Sequence, residues 1–174
     1  MDPARPDRLL AAPLRPDDGG QVDAAYARAL AVHVADLADP TSYAGVLAAL
    51  GSTRLLVPVV ALLGDVETGA DGLARDKTAD MASVLLTGAD GRIALLAFSS
   101  LTTLQQWDPD ARPVPVAAAL AAQAAVQDDA AAMVIDVAGP DMVVVQGEDL
   151  QALAEGWTLT SVGGRSAWIR PAPE

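Results

Sequence analysis

The sequence predicts one domain of the α+β class, with a largely antiparallel or mixed sheet built from three hairpins and packed against helices. Three pairs of apolar segments are separated by short turns rich in glycine, which is the pattern of β-hairpins. Segments with helical spacing are grouped before and between these pairs. They do not alternate regularly with single strands, and this favours α+β over α/β. A length of 174 residues fits one domain.

The first helices are expected to follow an N-terminal arm. Residues 1–20 are rich in proline and end in Gly19-Gly20, a composition typical of a flexible arm. Asp23 is a favourable cap for a helix that runs to about Asp36. Asp39-Pro40 predicts the start of a second helix, which ends at Gly51.

After Gly51 the spacing of the apolar residues changes from that of a helix to that of a strand. Leu55–Leu63 is rich in valine and leucine and is predicted to be a strand, with Pro58 at an edge or a bulge. The three hairpins turn at Gly88–Gly91, at Gly139–Asp141 and at Gly163-Gly164. The last is the two-residue loop typical of a type I′ turn.

A short helix is predicted after the first hairpin. Ser99 or Ser100 is expected to cap it, and Leu101, Leu104 and Trp107 share its buried face. Asp108-Pro109 ends it.

Two further helices complete the predicted order. An alanine-rich helix is expected from about Pro115 to Gln127, with the proline inside its first turn, and a short helix around Asp149–Ala154.

Charge and composition exclude several classes of protein. The net charge of −12 disfavours binding to nucleic acid and to anionic membranes, because both carry negative phosphates. There is no cysteine, so disulfides and thiolate sites are excluded. Leu55–Leu63, the longest strongly apolar run, is much shorter than the ~20 residues that span a bilayer. The N-terminus lacks the apolar core of a signal peptide, and a cytoplasmic protein is expected.

The sequence contains no recognisable catalytic or ligand-binding motif. His33, the one histidine, lies on the apolar stripe of the first helix and is interpreted as a packed residue with one ring nitrogen hydrogen-bonded. The acidic segment Gly64–Asp80 matches neither an EF-hand loop nor a phosphate-binding loop. We therefore predict no catalytic residue, no metal ligand and no cofactor.

Five residues form a predicted interaction surface. Asp76, Lys77 and Asp80 end the acidic segment, and Trp107 and Arg112 belong to the corner after the first hairpin, which connects the two. A purely structural interpretation is also open, with Trp107 in the core and Arg112 paired with Asp108 or Asp110.

One stretch of the chain resembles a known family. The run DKTADMASVLLTGADGRIALLAFSSLTTLQQWDPDARPVPV (Asp76–Val116) has an Asp-Lys…Asp-Met approach to the first hairpin, a Phe-Ser-Ser helix entry, a tryptophan at the helix end and Arg-Pro-Val-Pro. With LLVPVVALLG before it and VIDVAGPDMVVVQGEDLQALA after it, the run resembles the N-terminal domain of the SseB family, in the form common in actinobacteria. The resemblance covers residues 47–154. It implies an α+β fold and brings no enzymatic activity, cofactor or catalytic residue.

Three hypotheses of function follow. The first is a non-enzymatic cytoplasmic domain for protein interaction or regulation, whose protein partner is unidentified. The second is a sensor of, or enzyme for, a polar metabolite, with carboxylates from Asp76 and Asp80 and a cation from Arg112. The third is a homo-oligomeric structural module that pairs through a sheet edge or through the terminal hairpin with Trp157 and Trp168.

Overall fold

The computed structural model describes residues 18–62, 80–163 and 165–171. Its helices are α1 (Ala24–Ala35), α2 (Pro40–Leu50), α3 (Leu101–Trp107), α4 (Ala118–Gln127) and α5 (Gly147–Ala154). Its strands are β1 (Arg54–Leu62), β2 (Asp80–Ser83), β3 (Leu85–Thr87), β4 (Ile93–Ala97), β5 (Arg112–Ala117), β6 (Ala132–Ile135), β7 (Val143–Gln146), β8 (Thr158–Val162) and β9 (Arg165–Ile169). The α+β class is confirmed.

The first two helices begin where their caps predict. The Asp23 carboxylate accepts hydrogen bonds from the first backbone N–H groups of α1. The Asp39 carboxylate does the same for α2, and Pro40 occupies the first helical position. Both side chains satisfy donors that the helix itself leaves without partners.

The three predicted hairpins are confirmed. Strands β3 and β4, β6 and β7, and β8 and β9 pair antiparallel. Gly91 and Gly163 have φ values of 79° and 58°, in the left-handed region that favours glycine. Gly164 lies outside the described residues, so the type I′ turn stays a prediction.

Strands β4 and β6 pair in parallel, which the sequence did not predict. They form the centre of a four-stranded sheet in the order β3-β4-β6-β7, and the other neighbours are antiparallel. The connection between the two strands runs through α3, β5 and α4. All four residues of β6 are buried, as expected for a strand covered on both faces.

A second sheet has three antiparallel strands in the order β2-β1-β5. The predicted strand before the first hairpin turn is divided between the two sheets at Val84. The Val84 N–H donates to the Pro58 carbonyl of β1, at 3.3 Å, and its carbonyl accepts from Leu96 of β4, at 3.2 Å. An antiparallel bridge between Leu56 and Phe98 also joins the sheets.

The expectation that Pro58 lies at an edge or a bulge was wrong, because β1 has neighbours on both sides. The N–H and C=O groups of Leu56 bond to Phe98 and so face away from β5. The backbone N–H and C=O groups of successive residues point to opposite sides of a strand. Pro58, two residues after Leu56, therefore also has its nitrogen facing away from β5. Its partner in β5 is Pro113, at a position where neither nitrogen needs to donate across the pair.

The helix predicted to start at Pro115 starts at Ala118. Residues 112–117 form β5, which pairs with β1 along its whole length. Pro113 and Pro115 lie opposite Pro58 and Leu56, so the nitrogens of both prolines in β5 face away from β1. On that side β5 has no neighbouring strand among the described residues, because it is an edge of the sheet. The prolines therefore fit an edge strand better than a helix start.

Alternation along the central strands creates two apolar clusters. Leu95 and Ala97 face the larger cluster, which α1, α2, α4 and α5 also line. Leu96 and Phe98 face the smaller cluster, which α3 covers with Leu104.

Candidate functional site

A buried polar centre lies at the carboxyl end of β4. The Arg54 side chain is 7% exposed and forms an ion pair with Asp18 through two of its nitrogens. It also donates to the carbonyls of Ser99 and Gln21, each at 2.8 Å. Four of the five N–H groups of the guanidinium are thus used inside the protein. The residues from Asp18 to Gly20, assigned to the arm by the sequence, are tied to the body here, while residues 1–17 lie outside the described residues.

Asp136 completes this centre from the end of the parallel neighbour β6. It is 3% exposed, has a φ of 58°, and accepts a 2.9 Å hydrogen bond from the Ser99 N–H. Aspartate tolerates this left-handed conformation better than most residues. Arg54 bonds to Asp18 and to two backbone carbonyls, and Asp136 bonds to the backbone of Ser99, so the centre holds distant chain segments together.

The two tyrosines differ in how their hydroxyls are satisfied. The Tyr26 hydroxyl is buried and has no hydrogen-bond partner in the described part of the chain. Burial raises the Tyr26 pKa above its ordinary value, and the Asp136 carboxylate raises it further. The Tyr43 hydroxyl donates to the Val144 carbonyl at 2.9 Å, and burial followed by Asp149 raises the Tyr43 pKa to about 12.

His33 behaves as the sequence predicted. Its Nδ1 lies 2.8 Å from the Ser42 hydroxyl, and its ring centroid lies 5.6 Å from that of Tyr43. Among the described residues no group of three histidine, cysteine, aspartate or glutamate side chains could hold a metal ion. None of the described helices has the length and hydropathy of a segment that spans a bilayer.

A cleft of about 680 Å³ lies between α5 and the β8–β9 hairpin. We call it the tryptophan cleft. Trp157 and Trp168, both half-buried, supply the hairpin side. Leu150, Ala152 and Ala130 supply an apolar floor.

Local structure orients the two indoles. Gly156, with a φ of 72°, reverses the chain after α5, and the Trp157 N–H donates to the Ala152 carbonyl at 2.9 Å. In the hairpin, Trp168 pairs with Leu159, which is buried against the main core. The Trp168 Nε1–H donates to the Asp149 carboxylate in the first turn of α5, at 2.9 Å.

The rim of the cleft is acidic. Glu148 and Glu155 are exposed lining residues near the two ends of α5. Arg170 lies beside this rim, with its guanidinium carbon 4.9 Å from the centroid of the Trp157 ring and its Nη2 3.7 Å from Glu155. The cleft therefore combines apolar surface with carboxylates, the chemistry that receives an apolar group beside a cation.

The structure describes only part of the surface predicted from the sequence. Asp76 and Lys77 lie outside the described residues, and Asp80 begins β2 opposite Leu62. Trp107 packs on Phe98 with 5.4 Å between ring centroids, and Arg112 begins β5 and is exposed. The common surface of these five residues stays a prediction.

The structural interpretation of the corner is correct for the tryptophan and wrong for the arginine. Trp107 packs against the smaller apolar cluster. Within the described residues Arg112 forms no ion pair with Asp108 or Asp110, although all three lie close in sequence. Asp108 instead accepts from the Asp110 N–H, because that bond closes the turn before β5.

The tryptophan cleft was missed by sequence reasoning, which considered Trp157 and Trp168 only as a surface for self-association. A signal was present. A two-residue turn at Gly163-Gly164 pairs Val162 with Arg165 and thus Leu159 with Trp168, and Trp157 shares the face of Leu159 by the two-residue period of a strand. The sequence pattern did not indicate which helix packs against this face of the hairpin.

The described residues thus define an α+β domain with a structural polar centre and an open cleft. The chain belongs to the SseB family, because the family model for the SseB protein N-terminal domain matches residues 27–152. The match begins earlier than the resemblance predicted and includes most of α1 and all of α2. Trp157 and Trp168 lie beyond it. No curated protein and no solved structure shows significant similarity to the chain.

Proposed function

We propose that the domain is a non-enzymatic, cytoplasmic protein-interaction module and that the tryptophan cleft is its partner-binding site. The observation that carries this proposal is the pair of half-buried indoles facing an apolar floor. Tryptophan is enriched among the residues that contribute most to protein–protein binding, since its ring buries a large area at a small cost in side-chain entropy.

The lining favours a protein partner over a polar metabolite. A site for a polar metabolite needs several polar groups that converge on one point. Here the carboxylates lie at the exposed rim, and the Trp168 N–H already donates to Asp149. The rest of the cleft lining is mostly the surface of alanine, leucine and indole side chains.

A variant that fills the cleft tests the proposal. Gln151 is exposed on α5 and lines the cleft, so Gln151→Trp should occupy it without disturbing the core. Gln123 on α4 is also exposed and does not line the cleft, which makes Gln123→Trp the matched control. Proteins captured from a lysate of the source cells would be identified by mass spectrometry, purified, and measured against each variant by calorimetry.

The expected result is a purified partner that binds the wild type and Gln123→Trp equally and binds Gln151→Trp at least about tenfold more weakly, a loss of about 1.4 kcal/mol. Equal binding of that partner to all three proteins would place the site elsewhere. A thermal shift caused by a polar metabolite and abolished by Gln151→Trp would replace the protein-interaction proposal with a sensor.

A further inference from the structure

We infer that the tryptophan cleft accepts a partner segment in which an aliphatic or aromatic side chain lies next to a lysine or arginine. This inference rests on the proposed function and names the chemistry of the partner. The apolar floor and the acidic rim are separate parts of one cleft, so a partner must satisfy both to bury the floor.

The positions of the carboxylates on α5 define where the cations of a partner would lie. Glu148 and Glu155 are seven residues apart, which is about 10 Å along a helix. Gln151 lies between them on the same exposed face. A segment that crosses the cleft along α5 would thus meet one carboxylate near each end and apolar surface between them.

The end of the cleft at Glu155 favours a cation most strongly. Glu155 is the C-cap of α5, where the helix dipole places partial negative charge, and the last turn of the helix contains no basic residue. A carboxylate at this position adds to the negative potential instead of offsetting it. The exposed Arg170 offsets part of this negative charge, and a lysine or arginine of a partner would offset more of it.

Arg170 shows that the corner accepts a guanidinium. It lies over the Trp157 ring and beside Glu155, and its side chain is 72% exposed. Cation–π contacts of this kind favour arginine and lysine over other side chains. The cation of a partner would reach Glu155 from the side of the cleft and displace the exposed Arg170 side chain from this corner.

The charge of the whole chain selects against other occupants. At −12, the protein repels acidic segments and also a second copy of itself, and it attracts a basic partner over long range at low ionic strength. A segment of mixed basic and apolar residues is the occupant that agrees with both the local and the overall charge.

Three synthetic peptides of equal length test this chemistry on the full chain. One alternates leucine with lysine, the second has glutamate for lysine, and the third has serine for leucine. Two-dimensional NMR follows the indole N–H groups of the three tryptophans. Trp107 serves as the internal reference, because it packs against Phe98 in the other apolar cluster.

The leucine–lysine peptide should shift the signals of Trp157 and Trp168 and leave that of Trp107 unchanged, and the other two peptides should bind at least about tenfold more weakly. Glu155→Lys and Glu148→Lys should each weaken binding about threefold to tenfold, because each turns an exposed attraction into a repulsion. The control Asp110→Lys makes the same change of charge at an exposed residue outside the cleft and should leave the affinity within about twofold.

Equal binding of the acidic peptide, or no shift of Trp157 and Trp168 with the leucine–lysine peptide, would overturn the inference about chemistry. The proposed function would still be judged separately by the response of a purified partner to Gln151→Trp. Loss of binding in Asp110→Lys but not in Glu155→Lys would move the site to the surface around Trp107 and Arg112. Shifts that depend on protein concentration alone would assign the cleft to a second copy of the chain.

Discussion

At the scale of single residues, the two tyrosines form a natural pair for measuring what a buried hydroxyl contributes. Both rings are packed by the same core, yet only the Tyr43 hydroxyl has a hydrogen-bond partner among the described residues. A buried polar group without a partner has lost its bonds to water and gained none in return. The Tyr26 ring therefore stabilises the fold in spite of its hydroxyl.

We predict that Tyr26→Phe leaves the free energy of unfolding unchanged or raises it, because no hydrogen bond is lost. Tyr43→Phe should lower it by about 1 kcal/mol, since the Val144 carbonyl at the sheet edge loses its donor. Urea denaturation followed by circular dichroism measures both. A loss of about 1 kcal/mol or more in Tyr26→Phe would show that its hydroxyl has a partner, such as a buried water.

The second prediction for a single residue concerns the buried Arg54 and its contribution to stability. Arg54→Ala removes the guanidinium from its buried contact with the Asp18 carboxylate and takes away the donor of the Ser99 and Gln21 carbonyls. Breaking a buried pair in this way typically lowers the free energy of unfolding by about 3–5 kcal/mol. Arg54→Lys should recover only part of the loss, because an ammonium lacks the planar fork that meets Asp18 and Ser99 together.

The control for Arg54 is a matched pair on the surface. Arg92 and Asp90 form an ion pair in the turn between β3 and β4, with side chains 65% and 52% exposed. The Arg92 side chain, through its hydrogen bond, is the main cause that lowers the Asp90 pKa. Arg92→Ala should leave stability within the error of the same denaturation experiment. Equal losses in the two alanine variants would mean that the burial of Arg54 does not matter.

At the scale of elements, α3 shows how a short helix is specified by its first residue. The sequence left Ser99 and Ser100 as alternatives for its cap. The Ser100 hydroxyl accepts from the Thr103 N–H at 3.2 Å and forms a capping box with that residue. Ser99 contributes backbone groups instead, to Arg54 and Asp136.

We predict that Ser100→Ala lowers the free energy of unfolding by about 1 kcal/mol and that Ser99→Ala lowers it by less. A helix of two turns depends on its cap because it has few internal hydrogen bonds. Hydrogen exchange of the α3 amides should also become faster in Ser100→Ala. A larger loss in Ser99→Ala would identify its hydroxyl as the structural group.

Elements were predictable from the sequence wherever the signal was local. Asp23, Asp39 and the glycine turns each act through hydrogen bonds or φ values within a few residues, and these elements were confirmed. Strand β5 was not predictable in this way. Pro113 and Pro115 fit a helix start and an edge strand equally well, and only pairing with the distant β1 decides between them.

At the scale of the whole molecule, the information that was missing is the order of the strands. The parallel contact of β4 with β6 joins segments separated by α3, β5 and α4, and no local pattern encodes it. The same is true of the tryptophan cleft, whose lining comes from α5, the hairpin and Ala130. The sequence showed two tryptophans on a hairpin, while the helix that they face is a property of the tertiary structure.

The net charge of −12 leads to the prediction at this largest scale. An excess of like charge destabilises the compact state through self-repulsion. Raising the ionic strength from about 0.01 M to about 0.15 M shortens the screening length from about 30 Å to about 8 Å, so repulsion between distant carboxylates is largely removed. The buried pair of Arg54 and Asp18 is screened much less. The free energy of unfolding in urea should therefore rise over this range of sodium chloride.

Sodium thiocyanate provides the control for this effect of charge. Below about 0.15 M, screening depends on the concentration of ions and not on their identity, so the two salts should stabilise the protein equally. Reversing the charge of one exposed acid, as in Asp110→Lys, changes the net charge from −12 to about −10 and should reduce the rise of stability with salt. If salt instead lowered the stability of the wild type, attractive surface pairs would outweigh the repulsion. The acidic rim of the tryptophan cleft would then be less able to draw in a basic partner over long range.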